Sequence, residues 1–234
     1  MLPAMLPGRF ASTRAALHAV AEHVLCVARH RATGRIGLRV TPGGFGTPPF
    51  GDDEAVRVDV VELVHRRGTD ERRTALTTLG AAAAFVGVPL GAPRELFTPS
   101  TEADPDVPLD VDPGAARALA DWYEFSNARL VELRDDCAAH RPSEIQLWPE
   151  HFDVALDLGD ADAGTRANFG ASPGDAAIAE PYLYVGPWDA ARRTGVLGGY
   201  PFGTARTYGE LRQEPDPIAA ARRFFRVAAE ALLA

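Results

Sequence analysis

Residues 56–77 restrict the fold more than any other part of this sequence. Side chains of residues 56–65 alternate in the period-two manner of a β-strand, with valine at positions 56, 58, 60 and 64. Arg67-Gly68-Thr69-Asp70 contains turn-forming residues, and residues 72–77 follow as a returning strand. Strands joined by so short a turn pair antiparallel. The sequence therefore predicts a β-hairpin within an antiparallel sheet.

Helical patterns lie on both sides of this hairpin. Ser12 can cap a first amphipathic helix that Gly34 ends. Its apolar positions recur at three- and four-residue steps: Leu17, Val20, Val24 and Ala28. Asp112-Pro113 supplies an N-cap and a first-turn proline for a long helix that extends to about Ala139.

Two more helices and four more strands complete the prediction. Residues 78–86 form a short alanine-rich helix, and Asp216-Pro217 begins a final helix. The strands are predicted at residues 35–40, 144–148, 152–158 and 182–188.

Glycine and proline mark the segments predicted to be irregular. Residues 41–51 are predicted to be a long loop without regular structure, and residues 89–111 a connection rich in proline and aspartate. Residues 170–174 match the Gly-x-Ser-x-Gly pattern of a hydrolase nucleophile elbow. Pro173 lacks the backbone N–H that an oxyanion hole needs at that position, so we interpret this segment as a turn.

The order of these elements predicts an α+β fold, with an antiparallel β-sheet and amphipathic helices packed mainly on one face. A single globular domain over residues 1–234 accounts for this order. Two similar helix–β–helix halves, residues 1–111 and 112–234, account for it equally well, and both contain a Gly-Gly-aromatic triplet, at positions 43–45 and 198–200.

Composition excludes several classes of function. All 24 basic residues are arginine, so the chain has neither the lysine of a phosphate-binding P-loop nor one for a Schiff base with pyridoxal phosphate. A net charge of −8 opposes nucleic-acid binding. Without an apolar signal-like or membrane-spanning segment, and with two cysteines, the sequence predicts a soluble cytoplasmic protein that does not bind membranes. The oligomeric state stays open.

The densest cluster of chemically capable side chains lies at Glu150, His151 and Asp153. In an extended segment, His151 and Asp153 would project to one face, where imidazole and carboxylate can bind a divalent metal or form an oriented general base. We predict His151 as base or ligand and Asp153 as the residue that orients it. Asp175 and Glu180, on the following loop, would hold a metal or a polar group of the substrate.

Aromatic side chains with polar tips follow this cluster at Tyr182, Tyr184 and Trp188. Such residues often line ligand pockets, so they are predicted to form one wall of a cleft in a small-molecule enzyme or ligand-binding protein. The alternative is a noncatalytic protein-interaction module, in which the carboxylates are solvated and the aromatic side chains form a flat exposed patch.

Five stretches of the chain carry a resemblance to known sequences: residues 17–42, 49–59, 105–112 and 143–155, and the helix from Asp216-Pro217. Their order resembles that of a family of uncharacterised bacterial proteins of unknown function. Family members carry a longer stretch rich in histidine and proline after the position of Ala155, where this chain departs from them. The resemblance implies a bacterial protein and supplies no activity or catalytic residue.

Overall fold

A computed structural model describes Leu2 and residues 5–233. These residues form two units. Unit 1 comprises residues 5–124 and Leu147–Phe152. Unit 2 comprises Leu2, Phe125–Gln146 and residues 153–233. The chain therefore leaves unit 1 after residue 124 and returns to it for six residues before it completes unit 2.

Unit 1 begins with helices, which continue without interruption from residue 10 to Gly34. One turn of this segment is π-helical, because the Cys26 N–H donates to the carbonyl of Ala21, five residues back. Gly34 ends this helical segment with a φ of 72°, as predicted. The segment begins at Phe10 rather than at Ser12. The helical elements of unit 1 are α1 (Phe10–Val20), the π-helical turn (Ala21–Leu25), α2 (Cys26–Thr33), α3 (Leu79–Val86) and the first half of α4 (Pro113–Asp136).

Five strands of unit 1 form an antiparallel sheet in sequence order. They are β1 (Arg39–Thr41), β2 (Gly44–Gly46), β3 (Glu54–Asp59), β4 (Glu62–Arg67) and β5 (Asp70–Ala75). The predicted turn is present, because Arg67 of β4 pairs with Asp70 of β5. The strand predicted over residues 56–65 is wrong, because β3 and β4 are two strands that reverse at Val60 and Val61, where Asp59 pairs with Glu62.

Strand β2 lies inside the segment predicted to be an irregular loop. A Cβ atom on Gly46 would lie 2.5 Å from the Cβ of Arg57, and one on Gly44 would lie 2.8 Å from the Val58 carbonyl oxygen. Glycine is therefore what lets β2 fit closely beside β3. The prediction treated these glycines only as turn formers and missed their role in close strand packing.

Helices cover one face of the unit 1 sheet. The ring of Phe45 in β2 lies 6.3 Å from that of Tyr123 in α4, and His65 in β4 lies 6.2 Å from Phe85 in α3. Phe45 and Tyr123 are fully buried. Because side chains alternate along a strand, Arg57 of β3 and the residues in register with it on the neighbouring strands lie on the opposite face.

Unit 2 contains most of a second antiparallel sheet, with strand order β10-β9-β8-β7-β6. Its strands are β6 (Gln146–Trp148, of which Leu147 and Trp148 belong to unit 1), β7 (Asp153–Leu158), β8 (Ala167–Ser172), β9 (Tyr182–Pro187) and β10 (Thr204–Thr207). Its α-helices are the second half of α4, α5 (Tyr208–Gln213) and α6 (Pro217–Leu233), and three short 3₁₀ turns lie at Ala138–His140, Ala190–Arg192 and Gly195–Leu197.

The unit 2 sheet also packs against a helix on one face. Phe169 of β8 lies 6.2 Å from Phe225 of α6, and both rings are buried. Leu183 and Val185 of β9 share this apolar face. The opposite face carries polar side chains from β7, β8 and β9.

The α+β class predicted from the sequence is confirmed, with antiparallel sheets and helices in both units. The predicted caps of the two long helices are also present. The Asp112 carboxylate accepts the Ala115 N–H at 2.9 Å, and the Asp216 carboxylate accepts the N–H groups of Ile218 and Ala219 at 3.0 Å each. Strands β8 and β10 and helix α5 were not predicted.

A helix needs about 20 mostly apolar residues to cross a bilayer. Within Leu2 and residues 5–233, no helix combines the length and the apolar character needed to cross a membrane.

Candidate functional site

The predicted catalytic residues Glu150 and His151 lie in a tight turn of unit 1. The Phe152 N–H donates to the Trp148 carbonyl at 2.7 Å, and Phe152 has a left-handed φ of 54°. His151 is exposed, and β7 begins only at Asp153. The strand alternation that would place His151 and Asp153 on one face therefore does not extend through His151.

Glu150 differs from its neighbour because part of its carboxylate is buried. Its Oε2 atom has no hydrogen-bond partner among the described residues, and its backbone carbonyl accepts the Ser100 hydroxyl at 3.3 Å.

Burial, followed by the negative charges of Glu22 and Glu150, raises the pKa of the Cys26 thiol far above its usual range. Cys26 is therefore a protonated core residue and not a thiolate nucleophile.

Asp153 and Tyr184 form the centre of the polar face in unit 2. Tyr184 on β9 pairs with Gly170 on β8, which pairs with Ala155 on β7. A Cβ atom on Gly170 would lie 2.6 Å from the phenol of Tyr184. Because Gly170 has none, the ring crosses β8 and its hydroxyl donates a short hydrogen bond to Asp153 Oδ2. Asp153 is only 6% exposed.

Tyr182 and Asp175 form a second phenol–carboxylate pair in unit 2. The Tyr182 hydroxyl donates to Asp175 Oδ2 at 2.5 Å. The other oxygen of Asp175 accepts the N–H groups of Ala177 and Ile178, so this carboxylate also holds its own loop in place. Buried Ser172, at the end of β8, accepts the Gly174 N–H at 3.1 Å and lies opposite Tyr182 in the sheet. We call Asp153, Ser172, Asp175, Tyr182 and Tyr184 the phenol–carboxylate cluster.

The electrostatics of the cluster keep both phenols protonated. Burial raises the pKa of Tyr184 well above its usual range, and the charge of Asp153 and the hydrogen bond to it raise it further. Burial and the hydrogen bond to Asp175 likewise raise the pKa of Tyr182. At neutral pH both hydroxyls therefore act as hydrogen-bond donors and not as bases or nucleophiles.

Two more aromatic side chains extend the cluster toward the surface. The Phe202 ring stacks on Tyr182 at 6.1 Å and meets Tyr184 edge-on at 6.2 Å. Tyr200 stacks on Phe202 at 5.2 Å and is 36% exposed. Nothing in the sequence showed that this loop meets Tyr182, because it is the pairing of β10 with β9 that brings Phe202 and Tyr200 there.

The structure does not bring the remaining predicted site residues into this cluster. Trp188 follows β9, about 13 Å along the strand from Tyr184. It is 53% exposed, donates to Asn168 and lies beneath the Arg166 guanidinium. The Glu180 carboxylate accepts the Gly209 N–H at 2.7 Å, at the start of α5, where a negative charge is favourable.

Unit 1 contains a buried polar network around Glu22 and His23. Glu22 lies in the π-helical turn and is fully buried, and its carboxylate accepts the N–H groups of Ser100 and Thr101 at 2.7 and 2.9 Å and the Thr101 hydroxyl. His23 accepts the Ala92 N–H on Nδ1, which leaves Nε2 protonated to donate to the Thr101 carbonyl. The apolar positions of the predicted helix did not include Glu22 or His23, so their burial was not predicted.

His18 completes this network at its more exposed end. Its Nε2 lies 2.8 Å from the Pro149 carbonyl, and its ring stacks on Phe152 at 4.9 Å. Burial lowers the pKa of His18, although the nearby Glu22 acts in the opposite direction. The network fastens residues 92–101 to the helical segment, which is a structural role.

The sequence left open whether the cluster around His151 binds a divalent metal. Within Leu2 and residues 5–233, no group of three or more histidine, cysteine, aspartate or glutamate side chains has an arrangement that could hold a metal ion. The catalytic and substrate-binding roles predicted for Glu150, His151, Asp153, Asp175, Glu180, Tyr182, Tyr184 and Trp188 stay predictions.

Comparison with known proteins finds no family model, no curated protein and no solved structure that matches this chain. The resemblance to uncharacterised bacterial proteins therefore also stays a prediction.

Proposed function

We propose that this chain is a small-molecule-binding protein whose phenol–carboxylate cluster binds an amine or another organic cation. The single observation that carries the proposal is the hydrogen bond from the Tyr184 hydroxyl to the buried carboxylate of Asp153, formed across Gly170. A buried carboxylate held by a protonated phenol is a fixed acceptor for an N–H donor.

The aromatic side chains beside the carboxylates support a cationic ligand. Tyr200 is partly exposed over Phe202, which in turn contacts both tyrosines of the cluster. Aromatic faces attract ammonium groups, and the net charge of −8 favours the approach of a cation. Binding is favoured over acid–base catalysis because the pKa of both phenols is raised.

The protein-interaction alternative predicted a flat patch of exposed aromatic side chains. Within the predicted set, Trp188 is exposed, whereas Tyr182 is only 5% exposed and its hydroxyl is bound to Asp175. This distribution supports a ligand site over an interaction patch.

Thermal denaturation with a panel of primary and quaternary amines tests the proposal. A bound amine raises the melting temperature of the wild-type protein, whereas neutral alcohols of the same shape do not. Asp153→Asn keeps an oxygen for the Tyr184 hydroxyl but removes the negative charge, so we expect it to abolish the amine-dependent shift. Tyr184→Phe is expected to weaken it.

Asp157→Asn is the matched control. Asp157 lies four residues further along β7 on the same face and pairs with Arg166 at 3.2 Å. This variant is expected to keep the full amine-dependent shift. If no amine stabilises the wild-type protein, or if Asp157→Asn loses the shift as Asp153→Asn does, the proposed function is wrong.

A further inference from the structure

The face of the unit 1 sheet opposite Phe45 contains a cavity of about 170 Å³. The residues that surround it include Arg39 on β1, Arg57 on β3 and Arg66 on β4, so three arginine side chains line one small space. It lies entirely within unit 1 and shares no residue with the phenol–carboxylate cluster. We call it the arginine trough.

Strand β2 lies between β1 and β3, the strands that carry Arg39 and Arg57. Gly46 pairs with Arg39 on one side and with Arg57 on the other, and Gly44 pairs with Thr41 and Asp59 in the neighbouring row. Neither glycine has a side chain, so β2 places no side chain between those of Arg39 and Arg57 on this face. Neighbouring strands are about 4.8 Å apart, so β1 and β3 are separated by roughly 10 Å.

The three arginines differ in how their charges are balanced. Arg57 pairs with Asp59 at 3.0 Å, and Arg66 makes a two-pronged pair with Asp53 at 2.5 and 2.8 Å. Among the described residues, the Arg39 side chain has no ion pair or hydrogen bond, and it is exposed.

Two further side chains around the trough bear on what it can bind. Glu71 is the one carboxylate among the residues that surround the cavity, and it pairs at 2.8 Å with Arg73, which also pairs with Asp59 and Glu62. Thr41 is 8% exposed, and its Oγ1 is buried without a hydrogen-bond partner among the described residues. A buried hydroxyl without a partner is uncommon in a folded protein, and a ligand or a water molecule usually supplies the missing bond.

We propose that the arginine trough is a binding site for a small oxyanion, either a phosphate or a carboxylate group. Arginine presents planar pairs of N–H donors that match these oxygens, and Arg39 is free to turn toward them. The cavity is smaller than the roughly 300 Å³ of the smallest drug-sized pockets, which favours a compact anion over a nucleotide.

Titration with inorganic phosphate, succinate and the neutral isostere succinamide tests the inference. Calorimetry measures the affinity, and the NMR signals of the Arg39, Arg57 and Arg66 Nε–H groups locate the bound anion. We expect phosphate or succinate to bind and succinamide not to bind. The tighter of the two anions identifies the head group, and added salt is expected to weaken binding because the site is open to solvent.

Arg39→Gln is the decisive variant because it removes the guanidinium without breaking an ion pair. We expect it to weaken anion binding about tenfold, the usual effect of losing one charge-assisted hydrogen bond. The matched control is Arg35→Gln, since Arg35 is also exposed, precedes β1 and is not among the residues around the trough. It is expected to bind as the wild type does.

Thr41→Val provides a second variant that does not depend on charge. Replacing a buried hydroxyl that lacks a partner by a methyl group leaves folding stability unchanged or raises it, while anion binding weakens. The inference is overturned if neither anion binds, if succinamide binds as well as succinate, or if Arg35→Gln weakens binding as much as Arg39→Gln. Loss of the amine site in unit 2 would leave all of these outcomes unaffected.

Discussion

Val60 is a β-branched residue held at a φ of 56°, in the left-handed region that favours glycine and asparagine. Its N–H donates to the Gly43 carbonyl at 2.8 Å, so the contacts of the sheet hold it there. A left-handed conformation costs a residue with a Cβ roughly 1–2 kcal/mol.

Val60→Asn is therefore expected to stabilise unit 1 by about 1 kcal/mol, because asparagine tolerates this conformation. Urea unfolding measures the free energy change. Val61→Asn is the control, since Val61 lies in the same two-residue turn without a positive φ. If both asparagine variants are destabilising to the same degree, the strain at Val60 does not limit stability.

This same residue shows why part of the fold could not be predicted from the sequence. Valine at positions 60 and 61 continues the alternating pattern of a strand, and neither residue is a turn former. Only the pairing of β3 with β4 forces a reversal there. The contacts within the phenol–carboxylate cluster also depend on strand pairing. Tyr184 and Asp153 are 31 residues apart in the sequence, and Gly170 lies between them in the sheet.

At the scale of elements, one carboxylate joins two helices of unit 2. Glu132 on α4 accepts two hydrogen bonds from Arg129, one turn away, and two from Arg222 on α6. The hydrogen bonds from Arg222, with those from Arg129, lower the pKa of Glu132 to about 2.

Glu132→Gln is expected to destabilise the protein by about 1 kcal/mol at neutral pH, since the side chain of Arg222 is 57% exposed and solvent weakens the pair. Folding lowers the pKa of this carboxyl, so its contribution is complete above its unfolded pKa of roughly 4.5 and is lost as the pH falls toward 2. The difference between variant and wild type should therefore shrink below about pH 5.

Unfolding in urea at several pH values measures this trend. Glu230→Gln, which removes an exposed pair with Arg226 on α6, is the control and should cost less than about 0.5 kcal/mol. A Glu132→Gln penalty that stays constant down to pH 3 would contradict the lowered pKa.

Elements with strong local signals were the ones that the sequence could predict. Helices α4 and α6 have capping aspartates followed by proline, and α3 has Thr78, whose hydroxyl accepts the Ala81 N–H. Strand β8 has no such signal, because its sequence, Ala167–Ser172, is mostly small residues. Its backbone is held by β7 and β9, which are neighbours in space that local patterns do not encode.

At the scale of the whole molecule, the two units interleave along the chain. Residues 147–152 belong to unit 1, where Leu147 exchanges backbone hydrogen bonds with Leu38 at 2.7 and 2.9 Å. Phe152 packs on Phe45 at 5.0 Å, and its carbonyl accepts the Tyr123 hydroxyl at 2.6 Å.

A fragment of residues 1–111, one of the two halves considered from the sequence, lacks all of these partners. We expect it to be largely unfolded by circular dichroism and NMR, because the buried faces of Phe45 and Leu38 would be exposed to water. A fragment of residues 1–152 retains the partners and should show more native structure. Cooperative unfolding of the shorter fragment would contradict this expectation.

The return of the chain to unit 1 also affects how the protein folds as it is synthesised. Domains usually fold one after another from the N-terminus while translation continues. Unit 1 cannot follow that order, because its last six residues are made after Phe125–Gln146 of unit 2. On the ribosome, the apolar face of the unit 1 sheet therefore stays incomplete until Phe152 has emerged.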